Sequence, residues 1–190
     1  MNFSVVFHDH TKATLSRIFN EVLIPNTVIE IGVFEGETTF NLTNLLRGSG
    51  AYRHYAIDPF AASENLTDTT VASAREVFTS FLPEFPEVEH IDKPSLDGLI
   101  ELRQRGVLAD LIYVDGSHFA KDVLLDAALG FELLRVGGVM VFDDAVSWRY
   151  GESIHDSPKQ AVDAFIACNW NRLKVLETPG GYQVAIQRTC

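Results

Sequence analysis

The chain has 190 residues, 46% of them hydrophobic, which suits one domain with a sizeable core. Its net charge of −11 argues against nucleic acid as a partner, because that polyanion is held by Lys and Arg neutralising phosphates. Cys168 and Cys190 are too few and too far apart for a disulfide framework, no apolar run approaches the roughly 20 residues of a membrane helix, and MNFSVVFHDH lacks a basic leader. The expectation is a cytoplasmic protein acting on a small molecule, with no membrane partner.

Residues 11–24 place Leu15, Ile18, Phe19, Val22 and Leu23 on one helical stripe, and His8-Asp9-His10 ahead of them reads as a capping loop in preference to a metal site. The organising stretch is TVIEIGVFEGETTF, residues 27–40. Val28, Ile29 and Ile31 read as a buried strand, Gly32 and Gly36 break it, and a helix resumes over 37–47. Strand, glycine turn and helix open a nucleotide-type site, since glycine admits close backbone approach and the helix start offers free N–H groups. The spacing is Gly32-x-x-x-Gly36 and not the dinucleotide fingerprint G-x-G-x-x-G, and an acidic Glu30 precedes it.

A short strand over 52–57 ends in Asp58-Pro59. Asp58 stands where doubly wound folds grip ribose hydroxyls, though a strand-end Asp opening a proline turn reads equally well. Residues 61–86 are weakly patterned, with a helix expected near 72–82 and stopped by Pro83 and Pro86. A third strand over 87–91 leads to Ser95, expected to cap a helix over 96–105. A fourth strand spans 108–115, an amphipathic helix 118–134 stops at Arg135-Val136-Gly137-Gly138, and a fifth strand over 139–142 ends in Asp143-Asp144. Residues 147–157 are polar and aromatic. A helix follows from Pro158 to about Cys168, and strands over 173–177 and 182–187 form a closing antiparallel hairpin. The pattern predicts one α/β domain over 1–190, doubly wound and Rossmann-like, with a seven-stranded, mostly parallel sheet.

Ligands of such sheets lie beyond the carboxyl ends of the strands, which here carry Glu30, Asp58, Asp115, Asp143 and Asp144. Carboxylates crowded on one edge repel, so a divalent cation with oxygen ligands is the natural partner for Asp115, Asp143 and Asp144.

IEIGVFEGETTF, YAIDPF and LIYVDGSHFAKDVLLDAALGFELLRVGGVMVFDD, in that order, resemble the class I S-adenosylmethionine (SAM) O-methyltransferases. Within them the likeness is to the metal-dependent small-molecule group that includes catechol and macrocin O-methyltransferases. The resemblance implies that Glu30, Gly32, Phe34, Gly36 and Thr38 hold the methionine end of SAM and that Asp58 takes the ribose. It further implies Ser95 beside the adenine, with Asp115 also bordering the cofactor. Asp115, Asp143 and Asp144 would ligate a divalent metal, Mg²⁺ foremost. Where catechol-type relatives carry a lysine base, this chain has His118, an imidazole able to accept a proton from a small-molecule hydroxyl acceptor. Asp144 replaces an asparagine common in those relatives and resembles the macrolide-sugar branch. Asp-Gly-Ser-His in place of Asn/Asp-Pro-Pro-Tyr argues against an amino-methyltransferase acting on nucleic-acid bases.

Three other readings stay open: a metal-independent SAM methyltransferase, a non-catalytic Rossmann-type nucleotide-binding protein, and a SAM-binding protein without turnover. Trp148, Tyr150 and His155 are candidate lid residues over the acceptor, against an ordinary surface loop. The N-terminal segment can cover the cofactor or form a contact in a homo-oligomer.

Overall fold

The computed structural model describes residues 3–4, 8–48, 52–62, 66–145 and 157–190. A seven-stranded sheet has the order β3-β2-β1-β4-β5-β7-β6. Its strands are β1 (Thr27–Ile31), β2 (Arg53–Ile57), β3 (Val88–Ile91), β4 (Ala109–Val114), β5 (Leu134–Phe142), β6 (Leu173–Leu176) and β7 (Val184–Arg188). The first five are parallel, while β7 runs antiparallel to both β5 and β6. The predicted fold class is therefore observed, closing hairpin included. The chain reverses its direction of travel across the sheet between β1 and β4, and the crevice of such a sheet opens there.

Strand alternation sends the two faces of β1 into two cores. Ile29 and Ile31 pack with Ile112, Val114, Met140 and Phe142 beneath α4 (Ser95–Gln104), α5 (Ala120–Leu133) and α6 (Pro158–Asn169). Val28 packs on the other face with Leu111, Val139 and Val141, against Leu15 and Ile18 of α1 (Asp9–Glu21) and Leu42 and Leu46 of α2 (Glu37–Leu46). A third cluster, Phe78, Phe81 and Phe85, sits at the end of α3 (Asp68–Phe81) and in the 3-10 turn after it.

Of the boundaries that differ from the sequence expectation, three have a visible cause. Helix α3 begins at Asp68, well before residue 72, because the Thr67 hydroxyl caps it by accepting from Thr70 N at 3.2 Å. Ser95 is not a cap: α4 begins at Ser95 itself, behind Pro94. The Gly137-Gly138 pair does not end a helix in a separate turn. The chain passes from Leu133 directly into β5, and the pair lies inside that strand at a register shift opposite residues 109–111.

Candidate active site

The turn after β1 is built by steric necessity. Gly32 has φ +83°, and a Cβ there would fall 2.2 Å from the Asp115 carbonyl oxygen, so the turn crosses the end of β4 where no side chain fits. Gly36, at φ +81°, precedes α2, and a Cβ would strike the rings of Phe78 and Phe81. Between the glycines, Phe34 is left-handed at φ +51°. Among the described residues, the other non-glycine positions with positive φ are Phe60 after β2 and Asp144 after β5. All three lie just beyond strand carboxyl ends, and strained backbone gathered at one edge is a pointer to function.

Asp58 is half-buried and clamps this edge. Its Oδ2 accepts from Val33 N at 2.8 Å and Phe34 N at 3.1 Å, while its Oδ1 accepts from Phe60 N at 2.7 Å. The carboxylate thus orders the glycine turn. Glu30 is 1% exposed and lies beneath the turn. Its Oε2 accepts from Thr39 Oγ1 at 2.7 Å and stands 2.8 Å from His54 Nε2, at ion-pair range but without hydrogen-bond geometry. Glu30 therefore ties β1 to α2 and β2 from inside. Thr38 is half-buried in the first turn of α2, and its neighbour Thr39 is the residue that touches Glu30. Glu35, which sequence reasoning missed, is buried within the turn; its two oxygens accept from Ser4 N at 2.5 Å and Ser4 Oγ at 2.6 Å. Ser95 faces Asp126, whose carboxyl burial pushes up to about 6 while the Ser95 bond opposes the shift.

Beyond β4 and β5 the structure divides the predicted acidic trio. One ligand atom each from Asp115, His118 and Asp144 lie within 4.8 Å of one another, with His118 Nε2 3.3 Å from Asp144 Oδ2. Asp143, expected from the sequence as a third ligand, lies outside this grouping. Its Oδ2 accepts from Tyr113 OH at 2.7 Å, and its Oδ1 accepts from Gln183 Nε2 at 3.1 Å and Asp144 N at 3.0 Å. Tyr113 and Gln183 are buried and were not singled out from the sequence. Tyr113 alternates with core residues on β4, and Gln183 precedes a strand whose polarity carries no motif.

Asp115 is solvent-exposed by its accessible surface although protein atoms surround it densely. Desolvation, then the charges of Asp143, Asp144 and Glu30, raise its carboxyl well above the usual range. Because water reaches the group, we assign the direction chiefly to the neighbouring carboxylates. Burial, then Asp143 and Asp115, likewise push the Tyr113 hydroxyl up. An apolar cavity of about 270 Å³ between α5 and α6, lined by Leu124, Phe131, Phe165 and Cys168 among others, lies nearer the other end of those helices and takes no part. Trp148, Tyr150 and His155 fall outside the described residues.

A 3-2-1-4-5-7-6 sheet with an acid-then-glycine turn after β1 and an acidic clamp after β2 defines the class I methyltransferase fold. A family model described as a methyltransferase domain matches residues 29–145, more than half of the chain, and the chain belongs to that family. Uncharacterized protein R132 of Acanthamoeba polyphaga mimivirus is 27% identical over 162 residues, 82% of this chain; the match spans 66% of that relative's length. The fold is similar to that of the O-methyltransferase from Bacillus cereus in complex with S-adenosylhomocysteine (SAH). That structure has a TM-score of 0.68 and 20% identity, over 97% of this chain and 83% of that one. The O-methyltransferase TomG from Streptomyces achromogenes, involved in tomaymycin synthesis and solved with SAM, has a TM-score of 0.66 and 20% identity, over 98% and 82%. No helix among the described residues is long and apolar enough to cross a membrane.

Proposed function

We propose that this chain transfers the methyl group of SAM to a hydroxyl of a small molecule, assisted by a divalent cation. One observation carries the reading: Asp115 belongs to both halves of the site. Its backbone carbonyl is what Gly32 makes room for, and its carboxylate joins His118 and Asp144. The two solved relatives named as O-methyltransferases support the hydroxyl as acceptor.

The donor set fits a divalent cation. Ligand bonds of about 2.0–2.6 Å let two ligands of one ion lie no more than about 5 Å apart, and these atoms lie within 4.8 Å of one another. Asp115 and Asp144 would hold the ion, and when bound it would lower the pKa of the acceptor hydroxyl. The chain's own residues do the rest. Asp58 fixes the backbone of the glycine turn against the methyl donor. His118 accepts the hydroxyl proton, and the Asp144 carboxylate at 3.3 Å stabilises the imidazolium formed. The hydroxyl oxygen then bonds to the methyl carbon as the carbon–sulfur bond breaks. The bonding pair stays on sulfur, leaving neutral SAH, and the proton leaves through His118.

The 4.8 Å grouping favours a second reading, in which His118 Nε2 is a third ligand. The test incubates the protein with methyl-labelled SAM and a panel of catechols and vicinal-diol sugars, with Mg²⁺ or EDTA. Label should reach an acceptor with Mg²⁺ and be lost in EDTA and in Asp115→Asn. Transfer undiminished by EDTA would make the metal-independent alternative lead. His118→Ala separates the two roles: loss of the rising limb of the pH–rate profile marks a base, and a raised Mg²⁺ requirement marks a ligand.

A further inference from the structure

Asp144 enters the cluster through a backbone that a non-glycine residue rarely adopts, φ +50°. Its N–H is held at 3.0 Å by Oδ1 of Asp143, and that same oxygen accepts from the side-chain amide of Gln183 at 3.1 Å. Gln183 is 1% exposed, and its Nε2 also lies 2.9 Å from Tyr113 OH and 3.2 Å from Thr11 Oγ1. Its Oε1 is buried with no donor among the described residues. The amide therefore leaves its acceptor unsatisfied while the two hydrogens of its NH₂ are shared among three oxygens on the other side. Turned over, it would set Oε1 against Asp143 Oδ1, two acceptors in contact, so the Asp143 carboxylate fixes its direction.

We infer that Gln183 is a positioning residue. It holds Asp143 on Tyr113, Asp143 in turn holds the Asp144 backbone, and Asp144 is thereby aimed at Asp115 and His118. Through Thr11 the same amide joins the first turns of α1 to this end of the sheet. Gln183 acts through Asp143 and touches none of the reacting groups. The inference rests on the proposed reading of this edge as the acceptor end, but its primary readout needs neither metal nor turnover.

That readout is amide hydrogen exchange of Asp144, followed by NMR in wild type and Gln183→Leu. Loss of the amide should loosen Asp143, which then keeps its Tyr113 bond but not its Gln183 bond, and speed Asp144 exchange by about tenfold or more, while core amides of β4 and β1 keep their protection. Mn²⁺ affinity should fall by roughly five- to tenfold, and SAH affinity should stay within about twofold. Should Gln183→Leu fail to fold, Tyr113→Phe keeps the ring and removes one donor to Asp143, with a smaller change in the same direction. Unchanged Asp144 exchange overturns the inference even if the melting temperature drops, since that pattern is a packing role only. In a protein that binds Mn²⁺, unchanged affinity overturns it too. A wild type that binds no Mn²⁺ sinks the metal reading alone, and exchange then decides.

Discussion

Replacing Asp58 by alanine separates a clamp from a mere cofactor contact. The sequence suggests that this change spares the fold, because Asp58 reads as a strand-end residue facing a ligand. The structure predicts otherwise. Three backbone N–H groups, of Val33, Phe34 and Phe60, donate to this carboxylate at 2.7–3.1 Å, and Phe34 and Phe60 are both in left-handed backbone. An orphaned donor costs about 1–3 kcal/mol when fully buried, and water can replace part of the loss at this half-buried site, so we take roughly 2–4 kcal/mol in all. For a chain of this size that is a fall of about 5–12 °C in melting temperature. SAH affinity should drop as well, by about tenfold or more, because the turn loses its order in the free protein. Thermal melts with and without SAH read both effects, and Asp58→Asn, which keeps an acceptor for part of the set, should fall between. A melting temperature within about 1 °C of wild type would refute the clamp.

Other perturbations test separate parts of the account. Gly32→Ala places a methyl 2.2 Å from the Asp115 carbonyl in a backbone that disfavours it, so the expected loss is about 4 kcal/mol or more, read as failure to fold or a collapsed melting temperature. Asp126, with its carboxyl pushed up to about 6, binds a proton more readily folded than unfolded, so its ionisation lowers stability as pH rises from about 4 to about 6. Asp126→Asn should therefore be more stable than wild type at pH 8, by about 2–3 kcal/mol, with the advantage gone at pH 4; an advantage independent of pH would contradict the assignment. Glu30→Gln should lower the melting temperature more than it weakens SAH binding, because Glu30 joins Thr39 and His54 inside the fold; the reverse pattern would make it a direct cofactor contact.

Why some of this was legible and some was not follows from how each residue acts. The strand order rests on β-branched runs such as Val28–Ile31 and on glycines with no alternative, and both leave periodic or punctuated traces in sequence. Asp115, His118 and Asp144 end or follow clear strands, so their convergence could be anticipated. Which of two consecutive aspartates faces the cluster could not, because it is decided by Tyr113 and Gln183, which are 30 and 40 residues away from Asp143. Ser4 holding Glu35 across 31 residues is equally silent in a local reading. The start of α3 was missed because Thr67 competes with other Ser and Thr residues nearby, and only the cap bond distinguishes it.

The central claim, that this edge holds the methyl donor, is tested most directly by calorimetric titration of SAH, with NAD as control. The account predicts saturable binding of SAH at one site per chain, weakened by Asp58→Ala, and no heat with NAD. Saturable NAD binding with none for SAH would contradict it.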